Sequence, residues 1–231
     1  MIFGGGAAGG RAGALEAGAD EVIVADVHGS GFNFIIEELH PDAKYVFGAN
    51  ASTRFPFLDE TTDLGFLLGY HAMAGTEAAI LDHTYSSAAV SRYVVNGIEM
   101  GEIAVDALRF GYYGIPVGLV TGDRKACEEA VRFLGNIETA VVKEAVARQG
   151  AIILSPKKGR ELIRQAAYNA VKRVAEFKPY MIPGPYNVEV EYVSTDHADS
   201  RYVNGKDKVR VGPRTVLYKT DSVLDLFLTT P

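Results

Sequence analysis

The chain has no tryptophan, a single cysteine and no long apolar run. With no second thiol, Cys127 cannot form an intrachain disulfide. Its place among the apolar positions of a predicted helix makes it a small core residue. Cations are outnumbered: 23 Lys and Arg against 29 Asp and Glu give a net charge of −6. Nucleic-acid binding needs clustered cations to neutralise phosphates, so this balance argues against that partner. The apolar stretches IAVDALRF and IPVGLV are short or broken, well below the roughly 20 residues of a membrane span. The N-terminus carries neither a basic region nor a sustained apolar stretch. No signal peptide is therefore expected, and the chain is read as cytoplasmic.

What is present is globular. At 231 residues and 48% hydrophobic content, the chain can bury one large domain or two small ones. Short β-branched apolar runs read as buried strands: EVIVAD (21–26), KYVF (44–47), LGFLLGY (64–70), IPVGLV (115–120) and ETAVV (138–142). Continuous rather than alternating apolar strands indicate a sheet covered on both faces. Helical segments alternate with them. Ile103, Ala104, Ala107, Leu108 and Gly111 form one apolar face. Asp123 caps a second helix with Ala126, Cys127, Ala130, Val131 and Leu134 inward. Ser155-Pro156 opens a third, with Leu162, Ile163, Ala166, Ala167, Ala170, Val171 and Val174 on one side. This order predicts an α/β fold, a layered α/β/α core over residues 1–178. The proline-rich stretch KPYMIPGP punctuates the chain. NVEVEYVS and RTVLYKTD then read as strands and SVLDLFL as a short helix, in a smaller C-terminal α+β lobe over residues 179–231.

The segment Gly4-Gly5-Gly6-Ala7-Ala8-Gly9 matches G-x-G-x-x-G, and Asp26 ends a strand about twenty residues on, as in a dinucleotide site. The glycines of that motif must follow a complete strand, and only Met1-Ile2-Phe3 precede them. Five glycines in the seven residues Gly4–Gly10 are also poor helix material. An irregular N-terminal segment is expected, and a nucleotide-binding enzyme is the lesser alternative.

Four of the five histidines precede residue 84. His28 follows VIVADV and His71 follows GFLLGY, so both stand just past predicted strand ends, where open α/β sheets bind ligands. Glu102 lies after the turn dipeptide Asn96-Gly97, in the first turn of a helix. A carboxylate there also suits the helix dipole. Two His and one Glu are an adequate zinc set with an open position for water. Asp26 is placed to orient an imidazole from behind. His83, in DHTYS, is either a fourth ligand or, the favoured reading, a non-ligand that polarises a carbonyl or shuttles protons. His40, before a proline turn, and His197, in the C-terminal lobe, are not assigned to the site.

These residues sit in segments that resemble the M55 metallopeptidases, the D-aminopeptidase family. The matching segments are EAGADEVIVADVHGSGFN, EELHPDA, LGFLLGYHAMAGTEAAILDHTYS, VNGIEMGEIAVDAL, GIPVGLVTGD, TAVVKEAV and LSPKKGRELI, over roughly residues 13–175. The combination of GYHAxAGT, HTYS and NGxxxGE is specific. The resemblance implies an α/β core, a co-catalytic pair of zinc ions with a bridging water, and removal of N-terminal D-amino acids from short peptides such as D-alanyl dipeptides. It implies His28, His71 and Glu102 as zinc ligands, His83 as the catalytic histidine, and assembly into a homo-oligomer, a decamer in the family.

The chain departs from the family at its start. The family opens with a strand ending in Asp-x-Glu-Gly, whose carboxylates bind metal and bridge the two ions. Here Met1–Gly10 stands in that place, and no Asp or Glu precedes Glu16. The expected consequences are an exposed apolar sheet edge and a site that holds one zinc or none. Two functions compete: a zinc-dependent D-aminopeptidase, and a catalytically impaired, truncated or mis-started member that binds a peptide or a single metal. An upstream extension encoding Asp-x-Glu-Gly would remove the basis of the second.

Overall fold

In the computed structural model, which describes residues 3–29, 31–48, 54–55 and 57–229, the β-branched runs form strands. The strands are β1 (Ile23–Ala25), β2 (Lys44–Val46), β3 (Gly65–Tyr70), β4 (Val90–Val95), β5 (Ile98–Glu99), β6 (Val117–Asp123), β7 (Glu138–Ala147), β8 (Gly150–Ile153), β9 (Tyr186–Tyr192), β10 (Lys208–Arg210) and β11 (Thr215–Thr220). The α-helices are α1 (Phe3–Glu16), α2 (Glu102–Tyr112), α3 (Arg124–Leu134), α4 (Pro156–Lys172) and α5 (Thr195–Asp199). Two helix starts are set by local hydrogen bonds. The Asp123 carboxylate accepts from Ala126 N at 3.1 Å, and Ser155 Oγ accepts from Lys158 N at 3.4 Å with Pro156 next in the chain. Each satisfies an N–H that the helix itself leaves unbonded. SVLDLFL, expected as a short helix, forms a 3-10 helix over Val223–Thr229.

β3, β6 and β7 lie side by side and parallel, with β8 antiparallel at one edge. All seven residues of β6 are buried, as a strand covered on both faces must be. α1 packs along α4, while α3 packs on β6 and β7 and touches α2. This is the layered α/β core that the strand and helix order predicts. β1 and β2 form a separate parallel pair. Among the described residues β3 pairs with β6 alone and β1 with β2 alone. Among those residues each therefore keeps an unpaired edge.

A second sheet is antiparallel, in the order β10-β11-β9-β4-β5. β9 alternates buried and exposed residues, as a half-covered strand does. The residues expected to form a separate lobe, 179–231, supply three of these five strands, and β4 and β5 bring the other two from residues 90–99. The helix α2 joins the two parts. Ile103 and Ala107 enter the core under β6, while Ala104, Val105 and Leu108 enter the core under β4 and β9. A single apolar face was expected for this helix. Instead every residue from Glu102 to Gly111 is buried, including Glu102, Asp106 and Arg109.

The glycine-rich start departs from its expectation. It is helical from Phe3, and Met1 and Ile2 lie outside the described residues. Tertiary packing overrides weak propensity here. A Cβ on Gly9 would come within 2.5 Å of the Arg160 carbonyl oxygen, and one on Gly13 within 2.0 Å of that of Arg164. These glycines let the backbones of α1 and α4 approach closely. Lying inside a helix and not on a strand-to-helix turn, the segment has lost the geometry of a pyrophosphate cradle. Three further residues expected inward, Val131, Leu162 and Val174, are exposed.

Candidate metal centre

The chain brings the site together while passing from one sheet to the other and back. β3 ends at Tyr70, so His71 stands at the C-terminal end of a parallel strand. The following loop carries His83 and leads into β4. Asn96 and Gly97 then turn the chain with φ of +50° and +80°, the doubly left-handed turn that Asn-Gly favours in hairpins. β5 follows, and Glu102 is the first residue of α2.

Among the described residues, the metal-ligating atoms that lie within 4.8 Å of one another belong to His71, His83 and Glu102. His71 Nε2 is 3.3 Å from Glu102 Oε1, and His83 Nε2 is 3.8 Å from the same oxygen. The two imidazoles stack, with centroids 3.7 Å apart and planes 18° from parallel. Each Nδ1 faces a backbone carbonyl: His71 that of Ala72 at 3.1 Å, His83 that of Leu81 at 2.6 Å. A proton on Nδ1 satisfies that carbonyl and leaves Nε2 for the site.

Glu102 is fixed from three sides. Tyr85 N donates to Oε1 at 2.9 Å, Arg54 Nη2 donates to Oε2 at 2.9 Å, and His71 stands at Oε1. Arg54 also donates from Nε to Asp106 Oδ2 at 3.0 Å, and the Tyr70 hydroxyl donates to the same atom at 2.7 Å. Burial alone would raise the Glu102 carboxyl, but His71 and Arg54 outweigh it and hold it down at about 2. The imidazole of His71 is pulled down by burial and pushed further up by Glu102, so it sits above its ordinary value. His83 is held below its ordinary value by burial and by the charge of His71. The pair is thus differentiated: His71 is the more basic imidazole and His83 the less basic one.

The other predicted residues are placed as follows. Asp26 is buried, and its carboxylate accepts from His28 N at 3.2 Å, Asn33 N at 2.5 Å and Asn33 Nδ2 at 3.0 Å. It ties Asn33 to the end of β1 and meets His28 through the backbone. His28 is exposed beyond β1 and stands outside the group of His71, His83 and Glu102. His40 Nδ1 accepts from Asp42 N, and His197 Nδ1 lies 2.8 Å from Ser194 Oγ in the short α5.

Several contributing residues carry no motif. Asp106 could have been noticed, because it stands one helical turn after Glu102 on a helix rich in apolar residues. Glu129 occupies an inward position of α3. Its Oε2 accepts from Met73 N at 2.7 Å, and its Oε1 is buried with no hydrogen-bond partner among the described residues. Burial pushes this carboxyl up to about 7. Arg54 is brought from a segment with no periodicity.

Two imidazole nitrogens and a carboxylate oxygen are a borderline-soft donor set that suits zinc. Two ligands about 2.1 Å from a tetrahedral ion stand about 3.4 Å apart, close to the 3.3 Å between His71 Nε2 and Glu102 Oε1. A layered α/β frame with such donors at a strand end and a helix start has the make-up of a metal-dependent hydrolase. A family model described as D-aminopeptidase, peptidase family M55, matches residues 11–230, and the chain belongs to that family. A D-aminopeptidase of Bacillus subtilis (strain 168) is 29% identical over 215 residues, which span 93% of this chain and 78% of that protein. The solved structure of the Zn-dependent D-aminopeptidase DppA from Bacillus subtilis, described as a self-compartmentalizing protease, superimposes with a TM-score of 0.87. It is 28% identical, and the match covers 96% of this chain and 81% of that one. No helix of the described residues is long and apolar enough to cross a membrane.

Proposed function

We propose that the protein is a zinc-dependent D-aminopeptidase that releases N-terminal D-amino acids, of the D-alanine kind, from short peptides by attack of water. The observation that carries this reading is the approach of His71 Nε2 to Glu102 Oε1 in a member of the D-aminopeptidase family. His71 and Glu102 are the proposed metal ligands, with His28 a further ligand contributed by the loop after β1. A bound zinc lowers the pKa of water and polarises the scissile carbonyl.

The chain's own groups do the rest. Glu102 directs one oxygen to the site because Arg54 occupies the other. His83 is assigned to hydrogen bonding and proton transfer. Its ring is nearly parallel to that of His71 and 3.7 Å away, so the in-plane lone pairs of the two rings do not converge on one ion. With its Nδ1 proton held by the Leu81 carbonyl, His83 would accept a proton from the attacking water at Nε2. Once protonated, it would stabilise charge on the carbonyl oxygen and pass that proton to the leaving amine. Glu102, Asp106, Tyr70 and Tyr85 surround Arg54 and hold the carboxylate still.

A second reading concerns the number of ions. Among the described residues His71, His83 and Glu102 bring donors within 4.8 Å of one another. With His83 assigned to proton transfer, His71 and Glu102 remain, a set that supports one ion rather than two. On that reading the chain binds a single metal and turns over slowly or not at all. By likeness to the self-compartmentalizing relative, we take the chain to assemble with copies of itself.

The test is hydrolysis of D-alanyl p-nitroanilide with and without added zinc, beside a His83→Ala variant and the L-alanyl substrate. Zinc-dependent turnover of the D-substrate, reduced roughly 100-fold or more in His83→Ala, is expected. Turnover without metal, or turnover indifferent to His83→Ala, would overturn the mechanism. Zinc binding without turnover would favour the second reading.

A further inference from the structure

We propose that Arg148, at the tip of the β7–β8 hairpin, is a positioning residue for His83. It lies 66 positions from Asp82 in the sequence, and three hydrogen bonds join the two segments. Arg148 Nε donates to Asp82 Oδ1 at 2.7 Å, and its Nη2 donates to the Asp82 carbonyl at 2.8 Å. In return Leu81 N donates to the Arg148 carbonyl at 2.8 Å. The second carboxylate oxygen of Asp82 accepts from Gly75 N at 2.8 Å, so the aspartate bridges the hairpin tip and the start of the same loop.

The residues so held are the two that precede His83. The carbonyl of Leu81 is the group that faces His83 Nδ1 at 2.6 Å and thereby sets the ring's tautomer and direction. Leu81 has φ of +51°, and Ala78 and Tyr85 have +53° and +60°. L-residues with side chains disfavour this region and keep it only where their surroundings over-determine the backbone. Inside the protein that determination comes from Asp123 Oδ2, which accepts from Ile80 N at 3.0 Å, and from the Ala72 carbonyl, which accepts from His83 N at 3.2 Å. On the outside it comes from Arg148. Its planar fork matches an aspartate carboxylate and carbonyl presented together, a fit that an ammonium cannot reproduce. The side chain is 47% exposed, so its removal leaves the core intact.

The effect on turnover rests on the hydrolase reading above; the effect on the loop does not. Arg148→Ala and Arg148→Lys are compared with the parent chain by amide hydrogen exchange, zinc content, thermal unfolding and steady-state hydrolysis of the D-alanyl anilide. In Arg148→Ala, exchange in residues 78–85 is expected to quicken about tenfold or more, with other segments unchanged. Zinc content and Tm stay as in the parent, kcat falls about 10- to 100-fold, and KM stays within about twofold. Added guanidinium ion restores part of kcat, and Arg148→Lys lies in between. Unchanged exchange at 78–85 overturns the proposal, as does a loss confined to KM, which would make Arg148 a substrate contact. An inactive parent chain with zinc bound would defeat the hydrolase reading, and the exchange result would still decide the clasp.

Discussion

His71 Nε2 faces Glu102 Oε1 across 3.3 Å, while the other oxygen of Glu102 is taken by Arg54. With Nδ1 committed to the Ala72 carbonyl, Nε2 is the one atom of His71 open to a metal. Protein prepared without added metal and then titrated with zinc is therefore expected to bind about one ion per chain. His71→Ala loses a donor and Glu102→Gln loses the ligand's negative charge, and the zinc affinity is expected to fall more than about 100-fold in each. Equilibrium dialysis with metal analysis reads both outcomes. Full occupancy in either variant would place the metal elsewhere.

Arg54 is enclosed by two buried carboxylates, Glu102 and Asp106. Truncation to Met leaves both without their cation inside the protein, and breaking a buried pair in this way costs about 3–5 kcal/mol. Urea unfolding of Arg54→Met is expected to show a loss of that order. Removing the stranded charge as well, in Arg54→Met with Asp106→Leu, is expected to recover part of it. Equal stability of the single and double variants would mean that the ion pair is not what holds this segment.

His71 and Glu102 were legible because a strand end and a helix start are written locally, in GFLLGY and in the Asn-Gly turn. The same reasoning put His28 beside them, and the structure leaves it outside the group. The caps at Asp123 and Ser155 were legible for the same reason, since each bonds three residues ahead in its own helix. Arg54 and Arg148 act across long stretches of chain, and no spacing announces a partner so far away. The glycine-rich start was misread because helix propensity is a local quantity. The reason for Gly9 and Gly13 lies on the backbone of α4. The expected single apolar face of α2 failed similarly, since only the second sheet supplies what covers its other side.

The close contact of α1 and α4 gives a sharp stability prediction. Alanine is the better helix former, so in an isolated helix Gly13→Ala would stabilise by about 1 kcal/mol. In the folded chain the new Cβ would sit 2.0 Å from the Arg164 carbonyl oxygen, and backbone cannot yield as a side chain can. The helices must separate, and a net destabilisation of about 1–3 kcal/mol is expected, as for other overpacked sites. Gly18→Ala serves as a reference of a different kind. Its φ of +97° strains an alanine, but no atom lies within 4 Å of the added carbon. If thermal unfolding shows Gly13→Ala to be neutral or stabilising, the two helices are not in this contact.

Glu129 gives the pH dependence. Its carboxyl is pushed up to about 7 by burial, against the pull of the Met73 N–H, whereas in the unfolded chain it titrates near 4.5. Between these values the folded state holds a proton that the unfolded state has released. Stability therefore falls as pH rises from about 4.5 to about 7 and is flat in this contribution on either side. A difference of two to three units corresponds to about 3 kcal/mol as an upper figure. Glu129→Gln has no proton to lose. The difference in unfolding free energy between the metal-free parent and the variant should thus shift toward the variant as pH rises through that window. Parallel pH profiles for the two chains would show that folding leaves the titration of Glu129 unchanged.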